Sequence, residues 1–126
     1  MYPKIHWEFP KLTHHGIHMN KLIIKTGKTF NLINMSDIDY VRSERSYCRI
    51  YCNSRNYVIR KSLNQILERL GEDGFLRINK STIVNMEMIR EMKEIDYNKY
   101  SVILKNDEAF DWGREYKKNL VSLIKL

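Results

Sequence analysis

From Lys21 onward the chain contains no histidine, the side chain most often used for proton transfer near neutral pH. It also lacks a glycine-rich phosphate loop and any CxxC, HExxH or GxSxG motif. Its carboxylates are scattered singly among basic residues, the pattern of a solvated surface. No enzyme activity is expected, and no cofactor. Apolar runs are short: none approaches the length that spans a bilayer, and no signal-peptide pattern stands at the start. A cytoplasmic protein with no membrane partner is therefore expected. The only cysteines, Cys48 and Cys52, sit four apart in one apolar segment. On a strand they share a face with Cα atoms beyond disulfide reach, so reduced, buried thiols are expected. There is no internal repeat, no low-complexity tract and no linker that separates two domains. The 126 residues suit one domain with a single modest core.

Positive charge is plentiful. Twenty-two Lys and Arg stand against fifteen Asp and Glu, a net charge of +7. Such an excess on a small domain points to a polyanion or an acidic surface as partner. The first nineteen residues differ in kind, with both prolines, all four histidines and one of the two tryptophans. They read as a flexible N-terminal arm, residues 1–19, ordered where Ile5, Trp7 and Phe9 find a partner. His14, His15 and His18 have no carboxylate or thiol beside them at a ligand spacing, so no metal site is expected. Residues 20–126 read as the folded domain.

In that domain short β-type segments follow one another. KLIIKT and KTFNLI flank Gly27 as a hairpin, followed by IDYVRSE (38–44), YCRIYC (47–52) and NYVIRK (56–61). Alternation in YCRIYC sets Cys48, Ile50 and Cys52 against Tyr47, Arg49 and Tyr51. A helix, LNQILERL, starts after the N-cap candidate Ser62 and stops at Gly71. IREMKEID (89–96), YSVILKN (100–106) and AFDW (109–112) are further strands. REYKKNLVSLIKL reads as a C-terminal helix lined by Tyr116, Leu120, Leu123 and Ile124. The sum is a mainly β domain with two helices.

Between the first helix and the later strands lies FLRINKSTIVNMEMI, residues 75–89. Phe75, Leu76, Ile78, Ile83, Val84 and Ile89 suit a core, whereas Arg77, Lys80, Ser81 and Asn85 suit an anion or water. Basic and polar residues gather at two other places, Arg42, Ser43, Arg45, Ser46 and Tyr47, and Arg114, Lys117 and Lys118. Cationic side chains mixed with short hydroxyl donors at turns are what phosphate contacts need, and long Arg and Asn side chains can read base edges. Two other readings fit this composition. Tyr47, Tyr51 and Tyr57 can serve as stacking faces for RNA or single strands, and a basic surface can dock an acidic protein.

The succession IDYVRSERSYCRIY, YVIRKSLNQILERL, FLRINKSTIVNMEMI, VILKN and GREYKKNL resembles the LytTR family, a DNA-binding domain of many bacterial transcription regulators. The likeness runs from about Lys21 to Leu123. Its most specific piece is FLRINKSTIVNMEMI, similar to the family's Phe-x-Arg-x-His-x-Ser followed by Val-Asn. The resemblance implies an elongated sandwich of short β-sheets with one or two small helices, whose loops enter successive major grooves of double-stranded DNA. It implies base contacts from Tyr47, Asn79, Lys80 and Arg114. Phosphate contacts would come from Ser43, Arg45, Ser81, Arg77 and Lys117, with Asn85 fixing its own loop. A homodimer on repeated sites is expected, since one small module buries limited surface. Three positions depart from the pattern: Asn79 replaces a frequent histidine, Gly113 a frequent serine, and Glu115 a frequent basic residue. Glu115 is expected to face away from DNA or pair with a lysine. The residues before the domain are too few for a receiver domain, so a stand-alone regulator is expected.

Overall fold

Where apolar and polar residues alternate, the chain forms strands, and two-residue turns reverse it. A computed structural model describes residues 20–71 and 74–124, with side chains through 120. The arm, residues 1–19, and the side chains of Leu123 and Ile124 lie outside what it describes. Strands β1 (Lys21–Thr26) and β2 (Thr29–Asn34) pair antiparallel around Gly27, whose φ of +64° a side chain would resist. Strands β3 (Ile38–Glu44), β4 (Tyr47–Cys52) and β5 (Arg55–Ile59) form a meander. Helix α1 (Leu63–Leu70) begins in a capping box: Ser62 Oγ accepts from the Gln65 amide at 3.1 Å, and Gln65 Oε1 accepts from the Ser62 amide at 2.9 Å.

The segment 75–89, with its mixture of core-type and polar residues, is largely a hairpin. Strands β6 (Phe75–Asn79) and β7 (Thr82–Asn85) are joined only by Lys80 and Ser81. Strands β8 (Ile89–Asp96), β9 (Lys99–Leu104) and β10 (Ala109–Trp112) follow. The C-terminal helix starts later than its periodicity suggests. A 3-10 turn over Arg114–Tyr116 precedes α2 (Lys117–Ile124), held by the Trp112 indole donating to the Tyr116 carbonyl at 2.7 Å.

Three antiparallel sheets result, with orders β1-β2, β5-β4-β3-β7-β6 and β10-β9-β8. The central five-stranded sheet is buried on both faces. Val41, Ile50 and Ile83 face one way, onto Leu22, Ile24 and Ile33 of the first hairpin and Leu63 and Ile66 of α1. Tyr40 and Val84 face the other way, onto Val102, Leu104, Phe110 and Trp112 of the third sheet and Leu120 of α2. This explains why all four residues of β7, the polar Thr82 and Asn85 included, are buried. Cys48 and Cys52 are free and buried in the first core, and burial pushes both thiols above their ordinary pKa. The buried Asn85 side chain donates to the Ile38 carbonyl at 2.8 Å and accepts from the Glu87 amide at 3.0 Å.

Candidate nucleic-acid interface

The β6–β7 turn is held from several sides. Arg77, on β6, donates to the carbonyls of Asn79 (3.1 Å) and Lys80 (2.6 Å) and to Asn64 Oδ1 of α1 (2.7 Å). Its guanidinium also lies over the Tyr116 ring, 5.3 Å from the centroid. Asn79 accepts from the Ser81 amide and donates to the Asp111 carbonyl of β10, both at 2.8 Å. The Ser43 amide donates to the Ser81 carbonyl at 2.9 Å. With its backbone groups so occupied, the turn presents Lys80 outward as an exposed side chain.

The same network ties in Arg114. The Gly113 amide donates to the Ile78 carbonyl at 2.6 Å, and a Cβ at Gly113 would stand only 3.2 Å from the Asn79 Cβ and 3.3 Å from its Cα. A side chain at Gly113 would therefore oblige Asn79 to shift by a few tenths of an ångström. The position that lacks the hydroxyl, noted from sequence, is the one where the two segments come into direct contact. Asn119 of α2 adds a bond to the Arg77 carbonyl at 2.9 Å.

These bonds produce two neighbouring concave surfaces. One, of about 780 Å³, is bordered by Arg42, Asn79, Lys80, Ser81, Arg114 and Glu115. The other, of about 490 Å³, is bordered by Ser43, Arg45, Tyr47, Arg77 and Lys80, and by Arg60 and Lys61 ahead of α1. Lys80 belongs to both. Arg45, Lys80 and Arg114 form no side-chain hydrogen bond or ion pair among the described residues, so their charge faces outward. Arg45 does so from a left-handed backbone, φ +56°, where the other three non-glycine positions with positive φ are Asn or Asp.

The cations are not equivalent. Arg49 makes a two-pronged pair with Glu44 at 3.0 and 3.2 Å and donates to Asn56 at 2.8 Å. Its guanidinium holds the Glu44 carboxyl below the usual carboxylate range. Arg90 is likewise paired with Asp107. Lys117 borders neither groove: its ammonium donates to Asn98 Oδ1 at 2.9 Å and lies 5.9 Å from the Tyr100 ring centroid. Arg60 and Lys61 were not among the residues singled out from sequence. The available signal was a basic pair directly before a helix N-cap. Glu115, expected to turn away or pair with a lysine, borders the larger groove beside Arg114 and makes no ion pair among the described residues.

The tyrosines divide between faces. Tyr51 stacks on Tyr40, centroids 4.4 Å apart and planes 18° from parallel. Tyr57 pairs with Ile50 and packs against the first core, leaving Tyr47 beside the smaller groove. No cluster of three or more His, Cys, Asp or Glu able to hold a metal occurs among the described residues, and none of their helices is long and apolar enough to cross a membrane.

Comparison with known proteins gives a consistent likeness. The family model described as the LytTr DNA-binding domain matches residues 28–125. The sensory transduction protein LytT of Bacillus subtilis is 27% identical over 112 residues, 89% of this chain and 46% of that protein. The sensory transduction protein LytR of Streptococcus agalactiae is 33% identical over 89 residues, 71% of this chain and 36% of that one. The chain thus spans less than half the length of these curated relatives. Among solved structures, the LytTr DNA-binding domain of a Bacillus cereus protein described as a methyl-accepting/DNA response regulator superposes with a TM-score of 0.75 at 18% identity. The match covers 85% of this chain and 98% of that one.

Proposed function

The chain belongs to the LytTR family of DNA-binding domains, and on that premise we propose that it is a sequence-specific regulator of transcription that binds double-stranded DNA. It inserts turns, and not a recognition helix, into the major groove. The observation that carries this reading is the pair of grooves sharing Lys80, with outward-facing cations mounted on turns whose backbone is already hydrogen-bonded. A mount of this kind is ordered before DNA arrives, which lowers the entropic cost of binding.

In this reading Arg114 and Lys80 contact base edges, with Tyr47 and Asn79 beside them. A guanidinium or ammonium can donate to the O6 and N7 acceptors of guanine. Asn79 keeps one amide proton and one lone pair beyond its two internal bonds. Ser43, Arg45 and Ser81 hold phosphates, and Arg60 and Lys61 extend that rim. Arg77 adds the two donors left of its five, and Lys117 the two left of its three. Two copies bind a repeated site. The chain acts as a binding module and not as an enzyme.

Selection of bound duplexes from a random pool supplies the site. If the protein makes on the order of six phosphate contacts, log affinity falls against log salt with a slope near −5. Arg114→Ala costs roughly 1–3 kcal/mol on the selected site and relaxes preference at one base pair. Lys117→Ala weakens all duplexes alike. Equal loss on specific and random DNA for Arg114→Ala removes it as a base reader. Preference for single strands or RNA in direct competition rejects the whole reading.

A further inference from the structure

One cation of the larger groove differs from the others. Lys80 and Arg114 stand exposed on turns, whereas Arg42 is half-buried within β3. Its guanidinium lies over the Phe110 ring, 5.3 Å from the centroid, and Phe110 packs in turn on Tyr40 of the same strand, with centroids 4.8 Å apart. Stacking on that ring fixes the guanidinium and leaves its edge, with the N–H donors, free to point elsewhere. Among the described residues those donors meet no hydrogen-bond or ion-pair partner. The residue opposite on β4 is Arg49, a like charge, which also occupies both oxygens of the Glu44 carboxylate. The residue opposite on β7 is Thr82, fully buried, whose hydroxyl is likewise without a partner. Unused hydrogen-bonding groups and an uncompensated charge at one spot cost stability that a bound anion would offset.

We propose that the larger groove is a seat for one backbone phosphate of DNA, held by Arg42. The charges around it set how much anion it takes. Arg42, Lys80 and Arg114 border the groove together with the carboxylates of Asp111 and Glu115, three positive charges against two negative. The excess of one matches a single phosphodiester, and the two carboxylates repel a second. Shape points the same way. A concave surface receives a ridge, and the ridges of a duplex are its sugar–phosphate backbones. Base edges lie at the bottom of a major groove about 8.5 Å deep, where only projecting groups such as Lys80 and Arg114 reach. The inference rests on the proposed DNA reading and adds a register to it. With one phosphate seated on Arg42, the exposed cations of the same groove meet a fixed set of base pairs.

The test uses the full chain and the selected duplex, with a set of that duplex in which one phosphate at a time is replaced by an uncharged methylphosphonate. Neutralising the seated phosphate should weaken the unmodified protein about tenfold, and Arg42→Gln should weaken binding of the natural duplex by a similar factor. The two losses should not add: the variant should be indifferent to that one methylphosphonate and still sense the others. Its log–log salt slope should be shallower by about one. The Arg42 Nε–H resonance of the unmodified chain, which needs no variant, should shift on binding the duplex. It should return toward its free position when the seated phosphate is neutral. Additive losses at every phosphate, an unchanged slope, or an Arg42 resonance that does not move overturn the inference while the DNA reading stands. A loss for Arg42→Gln confined to one base pair also overturns it, and makes Arg42 a base reader. If the unmodified protein binds no duplex, both fall.

Discussion

Two hairpins of this molecule share a plan and differ in what surrounds them. The β6–β7 turn is two residues long, and its neighbours reach it from α1, β3, β10 and α2 through Asn64, Ser43, Asp111 and Asn119. The β8–β9 turn is reached at Asn98 by the Lys117 ammonium, while Ile95 and Tyr97 stand in solvent. The braced turn presents the Lys80 ammonium outward, and the open hairpin presents the apolar side chains of Ile95 and Tyr97. Under the proposed function, bracing suits a surface that meets a rigid, regularly spaced polyanion.

The sharpest way to break this contrast is to hollow out the ground under each hairpin. Ile83 is fully buried behind the braced turn, and Ile83→Ala should cost about 2–5 kcal/mol of stability in denaturant melts. Ile95→Ala, on the open hairpin, should change it by no more than about 0.5 kcal/mol. Comparable losses at both sites would mean the second hairpin is not open.

Next is Arg77→Ala, which removes three donors from the turn and should cost about 1–2 kcal/mol. Discrimination between the selected site and random DNA should fall with it, because Lys80 loses its mount. Arg77→Lys keeps the charge but not the three-way geometry, and should restore non-specific affinity more than discrimination. If the lysine variant restores both equally, Arg77 acts through charge alone.

Arg45→Gly should act in opposite directions on fold and binding. Relief of the left-handed backbone should stabilise the protein by about 1 kcal/mol, while DNA affinity declines. A variant that loses both would show that the Arg45 side chain supports the fold. The smallest effect is expected at Glu115, whose carboxylate borders the cationic groove. Glu115→Gln should raise affinity for all duplexes by less than about 1 kcal/mol, most visibly at low salt. A loss confined to one base position would instead make Glu115 a reader of the cytosine amino group.

Much of this architecture is legible in the sequence because it rests on local patterns. The segments IDYVRSE, YCRIYC, AFDW and LNQILERL fold as their periodicity indicates, and the Ser62 and Gly71 signals mark the helix ends. The run from Phe75 to Ile89 was harder. Two buried faces erase the alternation that identifies a half-exposed strand, so β7 reads as a mixture of core-type and polar residues. The candidate site divides in the same way. Arg45, Lys80 and Arg114 are distinguishable as cations at turns from sequence alone. That Arg77 and Lys117 also serve internal partners is not, because those partners lie 13 and 19 residues away in the chain.

By itself, then, the sequence determined the inventory: an excess of positive charge, its concentration at three turns, and strands and helices set by periodicity and capping. Those are properties of neighbouring residues and need no fold to exist. Only the tertiary structure decided which charges face outward. Whether an arginine is a ligand group or a brace depends on the acceptors that distant segments bring within hydrogen-bonding distance. Folding brought Asn64, Asp111 and Asn119 to the β6–β7 turn, and so left Lys80 and Arg114 pointing outward around a common groove.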